Sequence, residues 1–431
     1  MSLVRFVHTA DLHLDSPFQG IRGKVPSYVM EVLREATFAA YDQIVDLCIQ
    51  KQVDACLVAG DVYDSADRSL RAQIRFVSGL ERLDAAGVRT FICHGNHDPT
   101  DGWEARLALP PSCVRFGVDV GTAPVFPDDP HRAAVHGISY PRSVVEENLA
   151  LRFHNDTNAS AASHVKYNIG LLHATVGGNT GHPNYSPCTI EDLIGTAFDY
   201  WALGHVHTRQ VLREERPTIV YPGNPQGRHP LETDRRGVYI VDVAEDGLTV
   251  LDFVETDVVR WELLTVGIAE LETEQDIMNT VESMVAESAA AADGRDVVFR
   301  LDFVDRGPLH RWLALPETRT ELMNWLNGLY AERRPWMWCE RINTRTSALV
   351  DRERAALRDD FVGDMLRTGA AIRSEPDLLQ ELQDSLRPLY VNSSAGPYLR
   401  DFLPSIEEVR LLLTDAENHC LDSLAGEEEL E

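Results

Sequence analysis

The sequence predicts an α/β fold whose functional groups stand at strand ends, and three observations carry that prediction. Short apolar runs such as Ala55–Ala59 and Arg89–Cys93 alternate with helix-length stretches whose apolar residues recur on one face. Several runs end in Asp, His or Asn, and in open α/β sheets the carboxyl ends of strands are where sites form. The length of 431 residues, with 44% apolar and 25% charged residues, suits a globular protein of two or three domains.

Composition narrows the function classes. A net charge of −28 argues against sequence-independent coating of DNA, which uses a wide basic face. It leaves room for a protein that meets phosphate locally. Lys24, Lys51 and Lys166 are the only lysines. The Arg bias reads as genomic composition, although Arg suits bidentate phosphate contact where a contact exists. The seven cysteines form no Cys-x-x-Cys, which predicts reduced core thiols and no zinc ribbon or disulfide framework. No apolar run approaches membrane-spanning length, and Met1–Phe6 has no apolar signal core, so a cytoplasmic protein without membrane association is expected.

Val4–Ala10 reads as the first strand and ends in Asp11-Leu12-His13, whose first and third residues can reach one metal from an extended turn. Tyr28 to Gln50 reads as a helix, with Val29, Leu33, Ala36, Ala40, Ile44 and Cys48 on one broad face. Ala55–Ala59 is the second strand and runs through Gly60 into Asp61, with Asp64 close behind. Taken alone, Asp61 reads more naturally as a helix cap. A carboxylate there also has two oxygens with which to bridge two metal ions. Arg71 to Ala86 is helical, and Gly87 ends it. Arg89–Cys93 then delivers His94-Gly95-Asn96-His97-Asp98. Asn96 offers a neutral oxygen, His97 a proton near neutral pH, and Asp98 an orienting partner for that imidazole. An Asn/Asp turn with incidental His is the alternative, outweighed by three polar groups crowding one strand end.

Pro110 to Pro130 reads as short strands and turns, and Leu149 to Lys166 as a helix end and a polar surface loop. Asn168–Leu172 is a strand ending at His173, and Tyr200–Leu203 another ending in Gly204-His205-Val206-His207. A single His after a strand is usually structural. His205 and His207, two apart on an extended segment, point to opposite sides and can serve two different metals. Thr218–Tyr221 leads into Pro222-Gly223-Asn224-Pro225-Gln226-Gly227-Arg228-His229, a rigid polar turn near the His pair in sequence. Asn224 and Arg228 are its candidate substrate contacts. Gly237 to Val254 reads as a hairpin turning at Glu245-Asp246-Gly247.

Beyond residue 256 the character changes. Trp261–Val266, a helix from Glu274 to Ala291, the strand Asp296–Phe303, a helix near Glu317 to Tyr330 and the strand Pro335–Ile342 make a small α+β unit. It carries no His or Asp cluster at its strand ends. Residues 306–358 are Arg-rich and hold Trp312, Trp325, Trp336 and Trp338. Basic plus aromatic composition can mean single-strand stacking, while the aromatic core of a small domain is the commoner origin. The last part is helical. Leu378, Leu382, Leu386 and Leu389 form one stripe; Ile406, Val409, Leu413, Ala416, Cys420 and Leu424 form another, before an acidic tail at Gly426–Glu429. Such stripes pack on their own chain or seat a partner helix.

The strand-end series is thus Asp11/His13, Asp61, Asn96/His97, His173 and His205/His207. Mixed carboxylate, amide and imidazole ligands suit Mn²⁺, Fe²⁺ or Zn²⁺ better than Ca²⁺. In this order and spacing the residues resemble the calcineurin-like metallophosphoesterases. That family's series is Asp-x-His, Gly-Asp-x-x-Asp, Gly-Asn-His-Asp, a lone His and Gly-His-x-His, and all five stand unbroken here. His8–Phe18 and Tyr221–His229 resemble, more narrowly, the YhaO-like branch of the SbcD-type DNA repair exonucleases.

The resemblance implies two facing mixed β-sheets flanked by helices, a four-layer sandwich, over residues 1–255. It implies a small α+β capping domain at 256–345 and a helical, partner-binding C-terminal segment at 346–431. By the same resemblance Asp11, His13, Asp61 and His207 hold one divalent ion, Mn²⁺ foremost, and Asp61, Asn96, His173 and His205 the other. His97 is then the general acid, with Asp98 beside it as a catalytic residue. Some relatives carry His where Asp64 stands, so no second catalytic imidazole is supplied there. Two cations about 3.5–4 Å apart would acidify a shared water and clamp phosphate oxygens while His97 protonates the leaving oxygen. The expected function is a metal-dependent phosphodiesterase, a DNA exonuclease or endonuclease subunit in repair. Its expected partners are DNA, an SMC-like ATPase and a second copy of the chain. A small-molecule phosphodiesterase, a phosphoprotein phosphatase and a scaffold subunit for the ATPase are the alternatives.

Overall fold

A computed structural model describes residues 2–18, 21, 25–67, 69–105, 107–155, 164–178, 184–196, 198–330, 333–349, 351–391 and 403–424. Most of the expected polar loop before Lys166, residues 156–163, and the acidic tail at 426–429 lie outside them. The chain divides into two compact units. The first holds Met1–Leu264, Ala286–Arg300 and Trp325–Arg341; the second holds Thr265–Val285, Leu301–Asn324 and Ile342–Glu431.

In the first unit, β1 (Ser2–Thr9), β2 (Ala55–Ala59), β3 (Arg89–Cys93) and β4 (Cys113–Arg115) run parallel in one sheet. β11 (Gly237–Ala244) and β12 (Thr249–Glu255) extend that sheet antiparallel from β1, giving the order β12-β11-β1-β2-β3-β4. The second sheet has the order β5-β6-β7-β8-β10-β9, with β5 at Gly121–Pro124, β6 at Ala134–Gly137, β7 at Asn168–His173, β8 at Tyr200–Gly204, β9 at Gln210–Arg213 and β10 at Thr218–Tyr221. Its four central strands are parallel, and its edges β5 and β9 are antiparallel. The two mixed sheets with flanking helices are the architecture expected from the sequence.

Alternate residues of each strand serve different layers, because successive side chains point to opposite faces. In β2, Ala55, Leu57 and Ala59 join the core between the sheets, whereas Cys56 and Val58 pack outward. In β8, Tyr200 and Ala202 face inward, and Trp201 and Leu203 face the outer layer. Strands buried on both faces read as continuous apolar runs, which is why β2, β3 and β8 stood out in the sequence. Each large apolar side chain buried this way contributes about 1.5–3 kcal/mol.

Helices α1 (Ser27–Gln50) and α2 (Leu70–Ala85) cover the outer face of the first sheet through Phe38, Tyr41, Ile44, Phe76, Leu80 and Leu83. Ser69 caps α2 by accepting the amide of Ala72, and the turn that ends α2 is closed by Val88 N–H donating to Leu83 O at 2.9 Å. Short helices α3 (Arg152–Asn155) and α4 (Ile190–Ile194) belong to the outer layer of the second sheet, where Phe153 and Leu193 pack with Trp201.

A third sheet has the order β13-β14-β15, with β13 at Val259–Gly267, β14 at Asp296–Arg306 and β15 at Met337–Ser347. Trp336 and Trp338 are not available for base stacking. They are buried with Val29, Leu33, Trp261 and Val298 in one core cluster of the first unit. Residues 286–300 and 325–341 cluster with the first unit.

The second unit is mainly helical: α5 (Glu274–Ala291, in part), α6 (His310–Ala314), α7 (Pro316–Tyr330, in part), α8 (Arg352–Ala356), α9 (Phe361–Ser374), α10 (Pro376–Val391) and α11 (Ile406–Leu424). Ala355, Val362, Leu366 and Leu421 form its small buried cluster. Glu417, 3% exposed, is ion-paired with Arg352 and Arg373. All seven cysteines are unpaired. No helix among the described residues is long and apolar enough to cross a membrane.

Candidate metal centre

The strand-end residues converge because parallel strands deliver their carboxyl ends to one edge. β1, β2 and β3 bring Asp11/His13, Asp61 and Asn96/His97; β7 and β8 bring His173 and His205/His207. The loops after β1 and β2 are laced together. Asp11 N–H donates to Gly60 O at 3.0 Å, His13 N–H to Asp61 O at 3.0 Å, and Leu14 N–H to Val62 O at 2.9 Å. Asp11 (φ 53°), His13 (φ 40°), Asp61 (φ 52°) and His205 (φ 103°) all have left-handed backbone. Each such residue costs about 1–3 kcal/mol and persists only where its surroundings over-determine it, a pattern that concentrates at functional sites. The same crowding explains Gly204, where a Cβ would strike the Ala59 carbonyl.

His13/Asp64/His97 form one group at the rim, and side chains also meet in two overlapping clusters, Asp11/His13/His207 and Asp11/Asp61/His173, each group with its ligand atoms within 4.8 Å of one another. Asp61 stands between them, with Oδ2 3.4 Å from His173 Nε2 and 3.8 Å from His13 Nε2. Asn96 Oδ1 lies 3.0 Å from His173 Nε2. The His205 ring packs at 5.2 Å from the His173 ring, and both Asp11 oxygens accept the His205 amide at 3.1 Å. Asp11, His13, Asp61 and His173 are at most 1% exposed.

The donor set fits cations. His13 Nδ1 is 3.0 Å from Asp64 Oδ1, and His207 Nδ1 is 2.6 Å from Glu232 Oε1. A carboxylate only accepts, so both Nδ1 atoms carry the proton and both Nε2 atoms present lone pairs. Those lone pairs face each other across 3.2 Å. His173 repeats the arrangement: Nδ1 is committed to Ala59 O at 2.9 Å, and Nε2 faces Asn96 Oδ1 and Asp61 Oδ2. Converging lone pairs and carboxylates repel until positive charge enters. Where metal is absent, protons take that role. Burial opposes a charged His173, but Asp61 outweighs it and raises the ring to about 9. Burial first, and the charge of Arg228 second, hold His13 down at about 4. Burial pushes Asp11 up to about 6.

His97 stands at the rim with its side chain 48% exposed and Nδ1 2.8 Å from Asp64 Oδ1. Burial works against its charge, yet the Asp64 hydrogen bond and the charges of Asp61 and Asp64 raise it to about 9. Asp64 also accepts Ser16 Oγ–H at 2.6 Å, so this one carboxylate orients His13, His97 and the first loop. Nothing in the Gly-Asp-x-x-Asp spacing alone marks this orienting role of Asp64.

Two expected roles are corrected. Asp98 does not orient His97. Its carboxylate accepts the amides of Gly95 at 2.7 Å, Val62 at 2.9 Å and Asp61 at 3.2 Å, and lies 3.2 Å from His94 Nδ1. Three amide donors turn it inward, where it staples the loops after β2 and β3. Asn224 is not placed to touch substrate either. It is fully buried, its carbonyl oxygen accepting from Arg236 Nη1 at 2.9 Å and its amide donating to Gln226 O at 3.0 Å. Arg236, which also donates to His207 O, thereby ties this turn to the His205–His207 segment. Arg228 keeps its candidacy: its Nε is buried with no hydrogen-bond partner among the described residues. Nothing local in the sequence marks Glu232 or Arg236, whose contacts with His207 span 25 and 29 residues.

Comparison with known proteins agrees with this geometry. The profile of the calcineurin-like phosphoesterases matches residues 4–209, and that of the middle domain of metallophosphoesterase YhaO matches residues 261–347. The chain is 36% identical to the uncharacterized metallophosphoesterase YhaO of Bacillus subtilis over 344 residues, covering 79% of this chain and 81% of that protein. It is 25% identical to the DNA double-strand break repair protein Mre11 of Sulfurisphaera tokodaii, covering 64% of this chain and 68% of that one. The same figure of 25% holds for Mre11 of Methanopyrus kandleri, covering 64% and 62%. Enzymes of this class hydrolyse phosphoesters with a dinuclear metal centre, and with its YhaO-type middle region this chain belongs to the calcineurin-like metallophosphoesterases.

Proposed function

We propose that this protein is a phosphodiesterase that trims DNA ends in repair, using two divalent cations, Mn²⁺ foremost. The observation that carries the reading is the convergence of Asp11, Asp61, His13, His173 and His207 as acceptors beside a rim histidine that holds a proton. The distant likeness to proteins named for double-strand break repair favours DNA as the substrate class.

In this reading Asp11, His13, Asp61 and His207 hold one ion, and Asp61, Asn96, His173 and His205 the other. Bound there, such a pair supplies positive charge to the phosphate and an acidified water as nucleophile. The chain's own residues do the rest. His97, with Nδ1 engaged by Asp64, gives the leaving oxygen a proton from Nε2. Asp64 keeps that ring in place. Arg228 offers its guanidinium to a phosphate oxygen. With −28 net charge, DNA is held by few local contacts, so affinity of the isolated chain is weak and its salt dependence shallow. An SMC-like ATPase seats on the second unit, where α9 and α11 leave an apolar groove lined by Phe361, Met365, Ile372, Leu413 and Cys420.

The test is the purified protein with Mn²⁺ on linear double-stranded DNA, single-stranded DNA and a chromogenic phosphodiester. Shortening of DNA that stops with chelator is expected. Turnover of the small diester without any DNA cleavage would overturn the nuclease reading in favour of a small-molecule phosphodiesterase. Two bound metals without turnover of any substrate would favour the scaffold role.

A further inference from the structure

We propose that Glu232 is a positioning residue that fixes His207 as a metal ligand and the Arg228 backbone beside it. Metal capture and phosphate capture would then depend on one carboxylate. The proposal rests on the dinuclear reading above.

Glu232 lies 25 residues beyond His207, on the turn that follows Arg228. Its two oxygens do different work. Oε1 is 2.6 Å from His207 Nδ1. Oε2 accepts the backbone N–H of Arg228 at 2.6 Å and of His229 at 3.2 Å. The Glu232 amide in turn donates to His229 O at 2.8 Å, so the turn folds around its own carboxylate. The side chain is only 14% exposed. The first contact decides which ring nitrogen of His207 can ligate. With the proton held on Nδ1, Nε2 is the lone-pair atom, and Nε2 is the atom that faces His13 Nε2. Carboxylates behind ligating histidines fix tautomer and orientation in this way. The second contact sets where Arg228 leaves the chain, and the Arg228 Nε is buried without a hydrogen-bond partner among the described residues.

Glu232→Gln separates this role from simple support, because an amide satisfies only one side. With its oxygen toward His207, its NH₂ meets two backbone donors. With its NH₂ toward His207, the ring must carry its proton on Nε2 and loses the ligating lone pair. Metal-free protein is titrated with Mn²⁺ alone by calorimetry. The wild type should take two equivalents; Glu232→Gln should bind one of them about 10–100-fold more weakly. In a His207→Ala background the same change should cost no further affinity, since it acts through the missing ring. On the functional side, KM for a phosphodiester should rise in Glu232→Gln.

Unaltered Mn²⁺ titration in Glu232→Gln overturns the assignment, as does an equal loss in the His207→Ala background. A metal-free variant that melts lower yet binds two Mn²⁺ normally makes Glu232 a fold residue and also overturns it. Should the variant not fold, nitrogen NMR of His207 in the metal-free wild type decides. Nδ1–H supports the assignment, and Nε2–H overturns it. A wild type that takes up no Mn²⁺ overturns the dinuclear reading and this assignment together, whereas normal uptake with an indifferent variant removes only the latter.

Discussion

The two sheets of the first unit contribute different chemistry to one edge. Of the assigned ligands, the first supplies the carboxylates Asp11 and Asp61, the amide of Asn96 and one ring, His13. The second supplies rings alone: His173, His205 and His207. The acidic side is the strained one, with left-handed backbone at Asp11, His13 and Asp61 and its loops laced by three amide hydrogen bonds. On the imidazole side only His205 is left-handed, and the rings are aimed by acceptors behind them, Ala59 O for His173 and Glu232 for His207. Negative charge is thus placed by backbone geometry and neutral donors by hydrogen bonds. The carboxylates must be held close against their mutual repulsion, whereas a neutral ring needs only a fixed tautomer.

The largest expected effect breaks the acidic side. Asp61→Ala should lose most of both Mn²⁺ equivalents and all measurable turnover, while His173→Ala should lose one equivalent; elemental analysis after Mn²⁺ loading reads both. Clean retention of one full equivalent in Asp61→Ala would make the two sheets equal partners and remove Asp61 as the shared residue. Next comes the rim. His97→Ala should keep both metals and lower kcat about 10²–10⁴-fold. Normal turnover with metals bound would take His97 out of the reaction. Arg228→Ala sharpens the contrast between metal capture and substrate capture. It should raise KM for DNA about 10–100-fold, the loss of a charge-assisted hydrogen bond of about 1.5–3 kcal/mol, and affect a small phosphodiester less. Equal effects on both substrates would place Arg228 at the reacting phosphate. The smallest effect on catalysis belongs to the second unit. Removing residues after Ser374 should leave small-diester hydrolysis unchanged and abolish association with an SMC-like ATPase in a pull-down. Retained association would move the docking surface elsewhere.

Much of the first unit was legible because its strands are short, apolar and buried on both faces. The ends of β2, β3 and β10 fall where the sequence put them. β6 was missed: Ala134–Gly137 is four residues long, and His136 interrupts the apolar pattern with a side chain that bonds Thr122 and Asn168. At the site, residue types and order were readable, but side-chain direction was not. Asp98 follows His97 directly, yet a tight turn sends the two side chains apart, one to the rim and one to three buried amides. Asn224 looked available because its turn is polar, and Arg236, which occupies it, is 12 residues away. In the Arg-rich stretch, whose composition alone does not show what its side chains meet, Arg345 is 2.6 Å from Asp302. Arg333 and Arg334 lie over the rings of Tyr330 and Tyr28.

β1 and β11 are neighbours in the first sheet, although one comes from residues 2–9 and the other from residues 237–244. A chain leaving the ribosome therefore exposes Asp11 and Asp61 long before His173, His205 and His207 exist, and long before the strand that closes the sheet. Its nascent form holds a partial ligand set, Asp11, His13, Asp61 and Asn96, without the three rings of the second sheet, a weaker trap for transition metals. Stalled chains ending ahead of Asn168 should retain less Mn²⁺ through gel filtration than the full chain. Synthesis order then acts as a safety catch, arming the hydrolase only when nearly all of its first unit has been translated.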